Sequence, residues 1–215
     1  MADRPAVSVY YSLQSDYCYF LLDRLLTLSA KGIAVDVKPV LGGVIRAPER
    51  FRGRDGLEQA YFGIDTARTA AFLGLPYAPP DPSPIRFKPG SVWTAEEHQP
   101  LNEWINRLFV AAWAAGRALP FLDHVSRMMW DGSTPGWDEG EHITNAISRA
   151  GLTAQDLLVK TTWEQAQTIL AQHGAEMLAN GHWGVPLMVF QREPFYGQDR
   201  FDQLLWRIEN GGAHQ

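Results

Sequence analysis

The stretch YYSLQSDYCYFLLDRLLTL (Tyr10–Leu28) decides how the chain is read. It holds the single cysteine, Cys18, three residues after Ser15. Before it, Val7 to Ser12 (VSVYYS) has the character of a buried strand. Within it, Cys18, Leu21, Leu22, Leu25 and Leu28 recur at steps of three and four, while Asp23, Arg24 and Thr27 take other faces. That period predicts a helix over 16–30, ended by Gly32. Ile33, Ala34, Val35, Asp36 and Val37 then alternate as a strand does, up to Pro39. A crossover this short predicts two parallel strands with a right-handed connection.

Ser15 falls between strand end and helix start, where a Ser caps the first turn. The same place suits an anion. Free N–H groups and the helix dipole favour negative charge, and a hydroxyl there can lower the pKa of a thiol. Cys18 lies on the apolar stripe, where a free cysteine packs as a small hydrophobe.

Outward from this unit the pattern changes. LGGVIRAPERFRGRDG (41–56) is Gly-rich and basic and reads as a loop or short helix. A helix is expected over 58–73, closed by Gly74. LPYAPPDPSPIRFKPG (75–90) can be neither regular helix nor central strand, because Pro removes donors and fixes φ. Helical periodicity returns over 101–115, 121–130, 139–150 and about 161–178. Thr153 with Asp156 resembles a capping box, with Asp in place of the usual Glu or Gln. LMVF (187–190) reads as a strand, and a turn containing Glu193 and Pro194 leads to Phe195 and Tyr196 as its hairpin partner. A last helix starts near Asp199, with Phe201, Leu204, Leu205 and Ile208 inward, and GGAHQ (211–215) is expected to fray. The order is β-α-β, a long helical insertion, then β-β-α sharing the same small sheet.

The 215 residues fit one domain or one domain with a sizeable insertion. Hydrophobic residues make up 46% and charged ones 20%, enough for a substantial core. Eight Trp and seven Tyr either fill that core or wall a planar ligand. The formal charge of −5, with no dense basic run, argues against a nucleic-acid partner. There is no signal-peptide pattern at the N-terminus, and no apolar run long enough to span a bilayer, so a cytoplasmic enzyme or binding protein is expected. One cysteine forbids an intramolecular disulfide. The six His are scattered, no metal site is expected, and His182 reads as a loop residue.

SDYC (15–18), placed between strand and helix, resembles the active-site motif of the thioredoxin-like superfamily, with Ser15 where the first Cys stands and Cys18 where the second does. WGVPLMVF (183–190) resembles that superfamily's Gly-Val-Pro segment, and Pro186 would be its cis proline. With PVLGGVIRA (39–47), NRLFVAAW (106–113) and FYGQDRFDQLLWRI (195–208), the chain resembles the 2-hydroxychromene-2-carboxylate isomerase and kappa-class glutathione transferase family, within the DsbA-like group. The resemblance implies an α/β thioredoxin-like fold with a large all-helical insertion. Residues 1–45 and 180–215, with the helix around 161–178, would form the thioredoxin-like domain, and 46–160 the insertion.

The resemblance also implies glutathione as cofactor and a small aromatic or electrophilic molecule as substrate. Ser15 would be the catalytic serine. Val185 and Pro186 would meet the glutathione backbone, Asp199 its γ-glutamyl ammonium, with Gln198 alongside. Arg46 stands where isomerase-like members carry Lys, to meet a glutathione carboxylate or an anionic substrate, and Tyr17 would also face substrate. A homodimer is implied as well. The reaction would be glutathione-dependent isomerisation. The alternatives are a kappa-like transferase or a thioredoxin-like protein that binds a ligand without chemistry. A dithiol oxidoreductase is nearly excluded, because Cys18 has no partner. Two departures stand out. Asp16 and Cys18 replace Pro and Ser of the family's Ser-Pro-Tyr-Ser. PERFRGRDG, with Arg50, Arg52 and Arg54, replaces an Asn-Lys-Pro-Pro-like stretch.

Overall fold

A computed structural model describes residues 6–54 and 56–211. Strand β1 (Ala6–Tyr11) leads into α1 (Asp16–Ala30) and β2 (Ala34–Pro39), and β1 and β2 pair in parallel, Val7 opposite Val35 and Val9 opposite Val37. This is the strand-helix-strand unit that the period predicts. The chain returns to the sheet only at β3 (Leu187–Phe190) and β4 (Glu193–Tyr196). β3 pairs antiparallel with β1, Val9 opposite Met188, so the strand order is β2-β1-β3-β4. Both halves therefore share one sheet.

The turn of this hairpin is not where the Glu193-Pro194 pair suggested. It falls on Gln191 and Arg192, both with positive φ (50° and 69°), as a two-residue hairpin turn requires. Glu193 and Pro194 are already strand, and Pro194 is tolerated because β4 is an edge.

Between β2 and β3 lie α2 (Gly43–Arg46), a 3-10 turn (Pro48–Phe51), α3 (Gly56–Leu73), the Pro-rich segment, and then α4 (Pro100–Ala114). Next come α5 (Ala118–Phe121) and α6 (Arg127–Trp130), joined through a π-helical turn (Leu122–Ser126). Then α7 (His142–Arg149), α8 (Ala154–Lys160) and α9 (Trp163–Ala179) follow. α10 (Phe201–Asn210) closes the described chain, and the expected fraying at 212–215 lies outside the described residues.

Thr153 precedes α8 but makes no capping bond; the capping box is one helix later. There Gln165 N–H donates to Thr162 Oγ1 at 3.3 Å, and Thr162 N–H donates to Gln165 Oε1 at 2.8 Å. The Asp156 side chain is a methylene shorter than Gln and does not make that reach.

α1 is buried on nearly all sides: Cys18, Tyr19, Phe20, Leu21, Leu22, Leu25 and Leu28 are each at most 1% exposed. It lies between the sheet and the helical segment, so one apolar cluster runs from Val7 and Val9 through α1 to Phe109, Phe121 and Ile147. Two polar contacts pin the layers together. The Tyr11 hydroxyl bonds Ser126 Oγ at 2.8 Å, and Trp130 Nε1 donates to the Leu13 carbonyl at 3.0 Å. The burial fixes where the first turn of α1 sits, and with it Ser15.

Candidate active site

The chain leaves β1 in a tight turn, closed by Ser15 N–H donating to the Ser12 carbonyl at 3.2 Å. Ser15 is extended (φ −118°, ψ 118°) and caps α1, its Oγ accepting from Cys18 N–H at 3.4 Å. That contact uses Oγ as an acceptor; the hydroxyl itself is within reach of the Cys18 thiol, a weak acceptor that a bound thiolate would outcompete. Cys18 lies beneath Ser15. It is wholly buried, its Sγ accepts from Ser12 N–H at 3.4 Å, and burial pushes its thiol up to about 12. It stays a neutral thiol at physiological pH.

Asp16, the first residue of α1, turns inward and is 5% exposed. Its Oδ1 accepts from Tyr17 N–H at 2.9 Å and its Oδ2 from the Tyr77 hydroxyl at 3.5 Å. Burial outweighs these bonds and raises the carboxyl to about 6. The Tyr17 hydroxyl donates to the Asp65 carboxylate, and its ring edges onto Phe20 and Phe62.

Opposite Ser15 lies the segment before β3. The Val185–Pro186 peptide is cis. The Val185 main chain makes no hydrogen bond to any described residue, which leaves one N–H and one C=O for a peptide-like ligand. Gly184 has no room for a side chain: a Cβ there would lie 2.4 Å from Tyr196 Cε2. Arg46, at the end of α2, donates through Nη2 to the Trp183 carbonyl at 2.6 Å and through Nε to the Leu41 carbonyl at 3.4 Å. It forms no ion pair among the described residues, and desolvation lowers its pKa.

Aromatic rings complete the enclosure. Phe51 stacks on Trp93 and meets Trp183 edge-on, each at 5.8 Å, while the Arg54 guanidinium lies over Phe51 and Trp93 at 4.8 and 4.9 Å. The cavity they border holds about 250 Å³ and reaches Ser15, Tyr17, Arg46, Gly184 and Val185. A second, more apolar cavity of about 640 Å³ shares Asp16, Phe62 and Trp93 with it and extends under Tyr77, Pro79, Pro80 and Trp130. The site is thus an anion-favouring helix end beside an unpaired main-chain segment, opening on an aromatic chamber.

The profile of the DSBA-like thioredoxin domain family matches residues 6–209. This chain belongs to that family. Among solved structures, its fold is similar to that of a 2-hydroxychromene-2-carboxylate isomerase, with TM-score 0.71, 16% identity, and 95% of each chain covered. It is also similar to a probable DsbA oxidoreductase from Streptomyces coelicolor, with TM-score 0.63 and 18% identity over 98% of this chain and 92% of that one. No curated protein matches the sequence. At these identities the likeness speaks for the fold, a thioredoxin-like sheet with a helical insertion.

Within this DSBA-like chain, the structure brings Ser15, Tyr17, Arg46 and Val185 to one cavity; Pro186, next in the chain, is buried and does not line it. Gln198 and Asp199 do not border it. The Gln198 carbonyl accepts from Arg24 Nη1 at 2.9 Å, and Asp199 is exposed and paired with Arg200 at 2.7 Å. Of the three arginines in the replaced stretch, Arg54 faces the cavity, Arg50 lies over Trp183 at 5.6 Å, and Arg52 is exposed. His182 is a loop residue whose Nδ1 accepts from Gly184 N–H at 2.8 Å. Phe51, Phe62, Trp93 and Tyr196 had no local signal in the sequence, since an aromatic residue in a core and one in a cavity wall look alike. Trp183 could have been suspected from its place next to Gly184-Val185-Pro186. Among the described residues no helix is long and apolar enough to cross a membrane.

Proposed function

We propose that this protein is a glutathione-dependent isomerase of the 2-hydroxychromene-2-carboxylate type, acting on a small conjugated aromatic substrate. The observation that carries this reading is the Ser15 hydroxyl at the start of α1, bordering the same cavity as the unpaired Val185 main chain. The residues present fit the cofactor. A tripeptide thiol needs a donor for its sulfur, an unpaired main-chain N–H and C=O for its backbone and a cation for a carboxylate. Ser15, Val185 and the unpaired Arg46 offer these in turn.

Bound there, glutathione would supply a thiolate able to add reversibly to an electron-poor conjugated carbon, so that a double bond turns single, rotates and re-forms. The chain's part is to hold that charge. A thiol of pKa about 8.5 must be shifted by about two units to be mostly ionised at neutral pH, about 2.7 kcal/mol. A helix N-terminus contributes about 0.3–1 kcal/mol, and a hydrogen bond to a charged group about 1.5–3 kcal/mol. The Ser15 hydroxyl is therefore the larger contributor. Arg46 and Arg54 would orient an anionic substrate, and the aromatic chamber would exclude water. Gln198 and Asp199, outside the cavity wall, would reach only the far end of the cofactor.

The sole thiol of the chain, Cys18, is buried and without a partner, which speaks against dithiol exchange. Calorimetric titration with glutathione, followed by ultraviolet absorbance for a bound thiolate, tests the reading. Binding with a new thiolate band is expected. Absence of binding at millimolar glutathione overturns it. Product analysis then separates isomerase from kappa-like transferase: glutathione recovered unchanged marks the first, a stable thioether the second.

A further inference from the structure

Asp16 is the only carboxylate among the described residues bordering either cavity. It follows Ser15 in the chain, is 5% exposed, and enters no ion pair among the described residues. The titratable groups that face it are Tyr17 and Cys18 from α1, Asp65 from α3 and Tyr77 from the Pro-rich segment. None of them is a cation, and Arg46 and Arg54, which border the same cavity, form no ion pair with Asp16 among the described residues. Burial keeps the two tyrosines and the thiol neutral, and Asp65 accepts from the Tyr17 hydroxyl. A carboxylate fixed in its charged state here would repel any anion held on Ser15. One that takes up a proton as the anion arrives would not.

We propose that Asp16 is the proton acceptor for the thiol that Ser15 binds, so that the site takes up glutathione without losing a proton to solvent. The S–H bond breaks, an O–H bond forms on the Asp16 carboxyl, and the net charge of the protein–cofactor pair is unchanged. No oxidant or reductant is involved. This rests on the glutathione reading of the same site. Burial that raises the carboxyl to about 6 leaves it mostly ionised, hence able to accept, at neutral pH. A thiolate close by raises it further and holds the proton in place. A group whose affinity for protons lies near the working pH is the kind suited to passing them on.

The test is a proton inventory. Glutathione is titrated calorimetrically into the full chain near neutral pH, in buffers of different ionisation enthalpy. A thiol of pKa about 8.5 bound as thiolate releases about one proton per site when nothing captures it. With the thiolate band present, the wild-type protein is expected to release well under half a proton near pH 7, where Asp16 is mostly ionised before loading and takes the proton up. Asp16→Asn, with the same thiolate band, is expected to release about three-quarters of a proton near pH 7. Release of that much by the wild type near pH 7 overturns the assignment while the cofactor reading stands. Failure to bind glutathione at all overturns the cofactor reading, and this inference with it. The wild-type proton count near pH 7, read with the thiolate band, decides the matter even where Asp16→Asn does not fold.

Discussion

Replacing Ser15 by alanine separates two roles held by one hydroxyl. As a cap, Ser15 Oγ meets Cys18 N–H at 3.4 Å, longer than the usual 2.7–3.2 Å of such bonds. Loss of a cap costs about 0.5–2 kcal/mol, and the long contact places this one near the lower end, about 0.5–1 kcal/mol. In a chain of this size each kcal/mol moves Tm by about 2–4 °C, so we predict a fall of about 1–4 °C. As a donor to a bound thiolate the same hydroxyl is worth about 1.5–3 kcal/mol. Its loss should raise the pKa of the bound thiol by about one to two and, from a starting value of about 6.5, cut neutral-pH turnover roughly 3- to 25-fold. Part of that activity should return as pH rises, because alkali restores the thiolate that the hydroxyl no longer stabilises. The assay is turnover against pH, with thermal unfolding on the same sample. Unchanged turnover with the small Tm shift would reduce Ser15 to a helix cap and refute the mechanism. A loss of activity that no pH relieves would show that Ser15 does something other than stabilise a thiolate.

Three further outcomes follow from the described contacts. Cys18→Ser should leave turnover nearly unchanged, and the wild-type thiol should resist alkylation in the folded state, as burial keeps it protonated; rapid labelling of the native protein, or total loss of activity, would put Cys18 into the chemistry. Thr162→Ala should lower stability by about 1 kcal/mol through loss of the capping box, whereas Thr153→Ala should change it little; equal effects in thermal unfolding would contradict the assignment. The folded carboxyl of Asp16, at about 6, lies above its ordinary 3.8, so its neutral form is the stabilising one. That contribution is intact below about pH 4 and is lost as pH rises through about 6, on the order of 2–3 kcal/mol. Asp16→Asn should therefore raise Tm more near pH 8 than near pH 4, and a shift independent of pH would mean that Asp16 is not buried as described.

The parts legible in the sequence are those whose signal is local and periodic. The leucines of α1 at steps of three and four, the alternation in β2 and the LMVF strand each announce their own element, and α1 emerges as Asp16–Ala30, as the period requires. Ser15 at the boundary between strand and helix was visible for the same reason. The hairpin turn escaped because Gln191 and Arg192 adopt positive φ without being Gly or Asn, the residues by which such a turn is usually recognised. The capping box escaped because Thr153 and Thr162 both head helices, and only the reach of the side chain three residues on distinguishes them.

What the sequence by itself determined is a β-α-β unit with an anion-favouring helix start, a helical insertion, and a β-β-α closure in the order of the DSBA-like family. Each of these follows from residues close together in the chain. Only the tertiary structure decided the chamber: Phe51, Trp93 and Trp183 meet across more than a hundred residues, and no local pattern tells a ring facing a cavity from one filling a core. It also decided the fate of Asp16. An acidic residue at a helix N-terminus is equally at home in water, so its type sets only that it favours that end. Its burial comes from Tyr77 and α3 closing over it, and that closure turns an ordinary carboxylate into one that titrates near neutral pH.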